Sequence, residues 1–529
     1  MPSRPQYLPN TLKPIAITKD NLQHCLQELQ SAIKQGVSIL QKNVGADEAS
    51  SGSIYSGNAG IALALLRLER QKQAISGTKD GLAGIDFAGL ALQLMPVAES
   101  KVQFVPGRMS PVGSALGPPF LRILAACEDH NLGLGKGLKI SNEDASVINE
   151  AVQGSLKHGP VITARSHPMG ADEVLYGRAG LLWALLTLQR YASQGKAKEM
   201  VDSALRTAFA SIPKLVKTIV EAGVQGSKDY AKKHGSKDAF PLMWPWIEDR
   251  YGLGAVHGTA GILNILLSCD PSTLQAGKQD SYLDLIAQSI TGLCRVCIAH
   301  DGHLPTSLPP KERSGRSPLV QLCHGAPGLL LLLSTAMKND TFVSTYWQPE
   351  WDKAIQLGTE KVWQEGVLSK GGSLCHGFTG NAWPFLGLHD AYEYHSAAIE
   401  AAKSRGVQTT SAGGVIPTAD FFLSRALPFM LLTRESPPYS VCAKVKTTYD
   451  FRMPDRPFSM FEGLAGELCA WAETCAVIRA RLRKMELEEA GKQSMREASR
   501  DEIFDQFLSQ QLELPAFAVN GPTIKPQEA

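Results

Sequence analysis

The tripeptide Cys-His-Gly occurs twice in the chain, beginning at Cys323 and again at Cys375. Zinc prefers thiolate and imidazole ligands, and a catalytic zinc keeps three protein ligands and one open position. Two cysteines and one histidine meet that requirement and leave the fourth position for water or for the thiol of a substrate. Free cysteines are also common in protein cores, so on these residues alone a metal site and a pair of core thiols both remain open.

The two triplets belong to a longer repeat, in which Gly-x-x-Gly follows a polar or aromatic residue and precedes an apolar run. Six clear copies occupy residues 57–60, 177–180, 258–261, 325–328, 377–380 and 463–466. A seventh, degenerate copy lies at 113–117, where the glycine spacing is wrong by one. The runs that follow are apolar on nearly all sides, which predicts buried helices, and amphipathic helical stretches lie between them.

This alternation of buried and amphipathic helices predicts an all-α fold, an α/α toroid in which about seven repeats form a double ring. No long span alternates as strands do, so strands should not extend beyond short loop pairs. We expect an N-terminal segment with the first outer helix over 1–50, the toroid over 51–517 and a tail over 518–529. Residues 223–237 are rich in glycine, serine and charge, and we interpret them as a loop.

The composition excludes several classes of protein. The chain has 529 residues, with 53 Lys+Arg against 51 Asp+Glu, so bulk charge gives no reason to expect nucleic acid or a membrane surface as partner. Its start lacks the pattern of a signal peptide, and no apolar run approaches the ~20 residues of a membrane span. Ten cysteines are too sparse for a disulfide scaffold. We expect a cytoplasmic protein without a transmembrane segment, and peripheral membrane association stays open.

A second cysteine pair, Cys294 and Cys297 with His300 nearby, has the spacing of a metal or redox motif. The pair falls within an amphipathic helical stretch, where both cysteines lie one turn apart among apolar residues. We therefore predict that these thiols pack in the core and bind no metal.

Several blocks together resemble the LanC-like (lanthionine synthetase C-like) family, eukaryotic type. They are Leu-Tyr-Gly-Arg-Ala-Gly at 175–180, Cys-His-Gly-Ala-Pro-Gly at 323–328, Leu-Cys-His-Gly-x-x-Gly-Asn at 374–381 and Phe-Ser-x-Phe-Glu-Gly-x-Ala-Gly at 458–466. The resemblance runs from about residue 55 to about residue 517. It implies one zinc ion per chain, held by Cys323, Cys375 and His376, with His324 off the metal. It also implies that His257 faces the zinc and moves protons, although a lone histidine before a helix is usually structural.

The resemblance further implies that glutathione binds beside the metal. The matching residues are Lys370 and Arg452, whose cations suit the two carboxylates of glutathione, and Asp455, which suits its ammonium group. Arg4 matches an N-terminal arginine near the ligand in the family. Arg178 or Lys370 would help to hold phosphate. Read without the resemblance, Lys370 and Arg452 would be solvated surface charges.

The function implied is enzymatic: zinc-dependent addition of the glutathione thiolate to dehydroalanine or dehydrobutyrine residues in proteins or peptides. These electrophiles would arise by loss of phosphate from phosphoserine or phosphothreonine, and His257 would protonate the enolate as general acid. A non-catalytic zinc- and glutathione-binding signalling scaffold is the main alternative, and a lanthionine-type peptide cyclase is another. A glycosidase with paired carboxylates at Asp172, Glu173 and Glu462 would leave the two triplets unexplained.

Overall fold

The computed structural model describes residues 5–45, 52–77, 81–96, 102–164, 166–193, 197–275, 281–310, 319–406, 417–492 and 494–519. Arg4 and nearly all of the predicted tail lie outside the described residues.

The described chain is mostly helical. The first eleven helices are α1 (Lys19–Asn43), α2 (Asn58–Arg70), α3 (Lys72–Ile75), α4 (Phe87–Leu94), α5 (Gly117–Leu132), α6 (Asn142–Ser155), α7 (Arg178–Ser193), α8 (Lys198–Ala210), α9 (Ile212–His234), α10 (Thr259–Leu267) and α11 (Pro271–Leu274). The others are α12 (Tyr282–Ala299), α13 (Ala326–Met337), α14 (Asp340–Tyr346), α15 (Pro349–Glu365), α16 (Phe378–Tyr394), α17 (Ser396–Gly406), α18 (Ala419–Leu432), α19 (Tyr439–Ala443), α20 (Leu464–Glu489), α21 (Met495–Ala498) and α22 (Glu502–Ser509).

A helix follows every copy of the glycine motif, including the degenerate one. These seven helices are α2, α5, α7, α10, α13, α16 and α20. Each packs against the next in this order, and α20 packs against α2. Each of the seven also packs against a second helix: α1 packs on α20, α4 on α2, α6 on α5, α8 on α7, α12 on α10, α15 on α13 and α18 on α16. The apolar runs therefore form the buried helices that the sequence predicts, and helix α5 supplies the seventh.

The second glycine of the motif is required by a close backbone approach. At Gly261 a Cβ atom would overlap the carbonyl oxygen of Ala255, and at Gly380 it would overlap that of Leu374. In both cases the carbonyl belongs to the residue six positions earlier, so the chain turns back against the first turn of its own helix. Any larger residue would open this turn.

The same turn satisfies the amide groups at the start of the helix. The N–H of Arg178 donates to the carbonyl of Ala171 over 2.9 Å, and that of Phe378 donates to the carbonyl of Gly371 over 3.1 Å. Glycine is the N-cap in front of α16 and makes no side-chain cap. Loop carbonyls thus replace the usual capping side chain as acceptors for the helix amides.

Five short strands form one antiparallel sheet in the order β1-β2-β3-β4-β5. They are β1 (Val161–Ala164), β2 (His167–Gly170), β3 (Pro245–Ile247), β4 (Arg250–Gly252) and β5 (Ser307–Leu308). They come from the loops before α7, α10 and α13. The prediction of short loop pairs is thus confirmed, but two hairpins and a single strand also join across three loops, which the sequence did not indicate.

The loop predicted over 223–237 is wrong, because α9 continues through this stretch to His234. Gly223 packs against the indole of Trp244, and the amide of Met243 donates to the Gly223 carbonyl over 3.0 Å. At Gly226 a Cβ atom would overlap the carbonyl oxygen of Met243. These glycines therefore allow close packing against α9 and do not break the helix.

Helix α12 is the one described helix that is long and apolar enough to cross a membrane by length and composition alone. Its apolar face includes Ile286, Ile290 and Leu293, which are fully buried, and the helix packs against α15. Packing in the core accounts for this composition.

Residues 510–519 contact four of the seven helices beyond their glycine loops. Side chains of four of these helices bind this segment: Arg67 to the Glu513 carbonyl, Trp183 to that of Ala518, Arg190 to that of Val519, Asn264 to that of Phe517, and Glu473 to the amides of Leu512 and Glu513. Lys338, which follows α13, forms an ion pair with Glu513. We call residues 510–519 the closing segment.

Candidate metal and thiol site

Cys323, Cys375 and His376 come together at the amino-terminal ends of α13 and α16. Their ligand atoms all lie within 4.8 Å of one another, and among the described residues no other group of His, Cys, Asp and Glu does so. Sγ of Cys375 lies 3.6 Å from Nε2 of His376. Two thiols and an imidazole can hold a metal ion, and this donor set fits zinc with one position open.

Backbone hydrogen bonds between neighbouring loops position the two cysteines. The amide of Ala255 donates to the carbonyl of Leu322 over 3.2 Å, and the amide of Cys375 donates to that of Phe461 over 2.9 Å. Gly254 lies so close to the carbonyl of Cys323 that a Cβ atom would overlap it. The ligands therefore lie on a rigid rim, as a preorganised site requires.

The protonation state of the Cys375 thiol depends on whether a cation is bound. Burial, and then the neighbouring Cys323 thiol, raise the pKa of Cys375 well above its usual range. Burial lowers the pKa of His376, but Cys375 raises it more, so that this pKa is raised overall. Without a cation the thiol of Cys375 keeps its proton, so metal binding must release it.

His257 lies beside the cluster with one ring nitrogen engaged. Its Nδ1 donates to Oε2 of Glu173 over 2.8 Å, which leaves Nε2 for a substrate. Burial lowers the pKa of His257, but the Glu173 carboxylate and then Cys375 raise it, so that this pKa is raised overall. Glu173 thus orients the imidazole and favours its protonated form, which suits a proton donor.

Two further rings pack against His257. The ring centroids of His257 and His324 are 5.2 Å apart and nearly parallel, at 20°. Trp246, on β3, lies 5.5 Å from His257 and 5.1 Å from His324. We call Trp246, His257 and His324 the aromatic triad. His324 therefore has a defined place beside the metal cluster, while the predicted ligand set does not include it.

The residues predicted to bind glutathione lie together on a different flank of the cluster. Lys370, Arg452 and Asp455 line one small cavity of about 110 Å³ with His376 and Glu462. A guanidinium nitrogen of Arg452 lies 2.8 Å from Oδ1 of Asp455. This ion pair is exposed. A ligand could therefore replace it, with a carboxylate on Arg452 and an ammonium group on Asp455. We call this cavity the cation pocket.

The N-terminal segment reaches the same flank. The hydroxyl of Ser369, next to Lys370, donates to the carbonyl of Pro5 over 2.7 Å, and the amide of Leu8 donates to that of Val367 over 2.7 Å. Arg4 itself lies outside the described residues, so its predicted role stays a prediction.

Arg178 is not part of this rim. Its side chain is 1% exposed and forms an ion pair with Asp172, with Nε 2.6 Å from Oδ1. Its guanidinium also donates to the carbonyls of His158 and Gly159. These contacts indicate that Arg178 holds the loop before α7. The role in holding phosphate predicted for Arg178 or Lys370 stays a prediction.

The second cysteine pair lies where the sequence places it. Cys294 and Cys297 are both fully buried in the main hydrophobic core, and neither belongs to a metal-type cluster among the described residues. The prediction of core packing is confirmed.

Sequence reasoning missed Tyr55, whose hydroxyl hydrogen-bonds to the Cys375 thiol. Burial, and then Cys375, raise the pKa of this phenol far above its usual range. Its ring stacks on Phe461, with centroids 5.2 Å apart. The repeat register could have revealed it, because Tyr55, Cys323 and Cys375 each precede the first glycine of their motif by two residues. Aligned copies of the motif therefore point to one common site.

The described chain is mostly helical, and its loops carry a cluster of two cysteines and one histidine that could hold a metal ion. The sequence model of the family described as "Lanthionine synthetase C-like protein" matches residues 132–410, more than half of the chain. The chain therefore belongs to the LanC-like family.

Two curated proteins illustrate the relationship. The protein named glutathione S-transferase LANCL1 from Danio rerio is 26% identical over 461 residues, which are 87% of this chain and 91% of the relative. The LanC-like protein GCL1 of Arabidopsis thaliana is 28% identical over 318 residues, 58% of each chain. The chain is thus a distant relative of a protein named as a glutathione transferase.

Proposed function

We propose that this protein is a zinc-dependent transferase that adds glutathione to dehydroalanine or dehydrobutyrine residues of proteins or peptides. One observation carries the proposal: the cluster of Cys323, Cys375 and His376 adjoins both a pocket lined by cations and a histidine oriented by Glu173. His376 lines that pocket, and Cys375 interacts electrostatically with His257. The pocket suits an anionic thiol, and His257 suits proton transfer. The name of the zebrafish relative supports a glutathione-transferring activity. We place this activity in the cytoplasm.

We also propose that the fold is an α/α toroid. The packing of each of the seven helices on the next, with α20 on α2, supports a closed inner ring. The outer helices α1, α4, α6, α8, α12, α15 and α18 each pack on one of them, which supports a second ring.

In the reaction, the S–H of glutathione adds across the carbon–carbon double bond of the acceptor, and no group leaves. When bound at the cluster, zinc lowers the pKa of a thiol in its open position and so supplies thiolate near neutral pH. Lys370 and Arg452 hold the carboxylates of glutathione and fix its sulfur. His257 donates the proton of Nε2 to the α-carbon once the sulfur–carbon bond forms at the β-carbon. The thiol proton of glutathione passes to solvent, and the neutral imidazole takes up a proton from solvent before the next cycle.

Mass spectrometry tests the proposal directly. A peptide with one dehydroalanine is incubated with the zinc-loaded protein and glutathione, with and without a chelator. We expect the mass of one glutathione to be added only without chelator. If glutathione binds but no adduct forms above the uncatalysed rate, the protein is a binding scaffold and the proposed activity is wrong. A peptide that gains an internal thioether without glutathione would indicate a cyclase instead.

A further inference from the structure

The aromatic triad packs three rings together next to the metal cluster. The His257 and His324 rings stack on each other, and the indole of Trp246 is tilted by 31° and 50° to them. Trp246, His257 and His324 are each only partly buried, whereas Cys323 and Cys375 are buried, so solvent reaches part of each ring. Nothing in the mechanism above uses Trp246.

The five-stranded sheet places Trp246 close to His257, the proton donor. Met169 on β2 pairs with Ile247 on β3, next to Trp246. Strand β2 leads into Glu173, and β4 leads into His257. The indole therefore lies on the same sheet that leads into the imidazole and into the carboxylate that orients it.

The cation pocket and the triad are each next to a different residue of the metal cluster. Lys370 of the pocket lowers the pKa of His376. The pKa of His257 in the triad is raised by Glu173 and by Cys375. The acceptor must come within reach of Nε2 of His257, the proton donor of the proposed reaction.

The chemistry of the acceptor matches these aromatic rings. A dehydroamino acid residue is planar, because its double bond is conjugated with its carbonyl group, and a planar π system packs well on an aromatic face. A saturated residue has a tetrahedral α-carbon and cannot lie flat. We propose that the aromatic triad is the acceptor subsite and that Trp246 selects planar α,β-unsaturated residues of a polypeptide over saturated ones. This inference rests on the proposed function.

The test measures binding in the absence of glutathione, so that no reaction occurs. A fluorescently labelled peptide with one dehydroalanine and the same peptide with alanine are titrated with the zinc-loaded protein, and anisotropy is recorded. We expect the protein to bind the dehydroalanine peptide about three- to tenfold more tightly, as one aromatic contact provides. Trp246→Leu should abolish this preference, and Trp246→Phe should keep most of it.

Trp347→Leu is the matched control, because Trp347 is also partly buried but lies at the end of α14 and contacts Asp352. This variant should keep the preference. In steady state, Trp246→Leu should raise KM for the dehydroalanine peptide and leave KM for glutathione and the zinc content unchanged.

Three results would overturn the inference: no preference in the wild type, an unchanged preference in Trp246→Leu, or equal losses of zinc and glutathione binding in that variant. The last would make Trp246 a structural support. Failure of the proposed function is distinguishable, because the preference would then be present while no adduct forms with glutathione.

Discussion

Polar side chains have different partners at the two ends of the seven central helices. At the glycine-loop end, Cys375 contacts Cys323 and His376, and these groups converge on a single point. At the other end, the Glu473 carboxylate accepts hydrogen bonds from the amides of Leu512 and Glu513 in the closing segment. Glu473 thus binds the chain's own backbone, whereas the three side chains of the metal cluster face one another.

Stability and function therefore depend on different ends of the central helices. A buried polar group that is hydrogen-bonded to backbone stabilises the fold, whereas converging ligands and charges are kept for a partner from outside. Changes at the glycine-loop end should therefore remove activity with little loss of stability. Changes at the closing segment should do the reverse.

The largest effect is expected for Cys375→Ala. Zinc content measured by elemental analysis should fall from about one ion per chain to none, and glutathione addition should cease, because two remaining ligands do not hold the ion. Cys294→Ala is the matched control, since it also removes a buried thiol. Loss of zinc in the control, or retention in Cys375→Ala, would sink the assignment.

His257→Asn should slow adduct formation by about 10²–10⁴-fold, the usual contribution of a general acid. Zinc content and glutathione affinity should not change, because the imidazole lies outside the ligand set. Single-turnover kinetics with a dehydroalanine peptide measure this step. If the variant loses its metal, His257 is a ligand or a support, and a normal rate would mean that the proton comes from elsewhere.

Glu473→Gln tests the closing-segment end through pH. Burial raises the pKa of Glu473 from 4.5 to about 7, although Arg67 and two amides oppose this shift. The folded protein therefore binds a proton that the unfolded chain releases. The associated stability is complete below about pH 4.5 and is lost as pH rises through 7.

At 1.36 kcal/mol for each pKa unit, this loss reaches up to about 3 kcal/mol. In Glu473→Gln the urea midpoint should vary less between pH 5 and pH 7 than in the wild type. The dependence of the urea midpoint on pH is compared, and not its absolute value, because glutamine also offers one acceptor fewer to the closing segment and so lowers stability at every pH. An identical pH profile in both proteins would contradict the prediction, and zinc binding should stay intact throughout.

The smallest effects are expected in the cation pocket. Lys370→Ala should weaken glutathione binding by about 1.5–3 kcal/mol, and Arg452→Ala should lie at the lower end because this side chain is 59% exposed. Titration calorimetry on zinc-loaded protein measures both. Lys353→Ala, on α15, is a control with a lysine away from the pocket. Unchanged affinity in both pocket variants would discredit the placement of glutathione.

Much of the fold and of the metal cluster can be predicted from the sequence, because the repeat carries both. Each Gly-x-x-Gly marks a close turn that only glycine permits, and the apolar run after it can only be a buried helix. The repeat also places Cys323 and Cys375 at one register, so their convergence follows from the repeat itself. Tyr55 shares this register and was predictable in the same way.

The tertiary structure alone decided the rest. Gly223 and Gly226 resemble a loop locally, but they lie within α9 because Trp244 and Met243 pack directly against them. Arg178 resembles a free cation, yet its ion pair with Asp172 buries it. The closing segment, the five-stranded sheet and the aromatic triad each join residues far apart in the chain. A local sequence pattern determines one turn or one helix face. Contacts between distant segments depend on how the helices pack, and a local pattern does not contain that information.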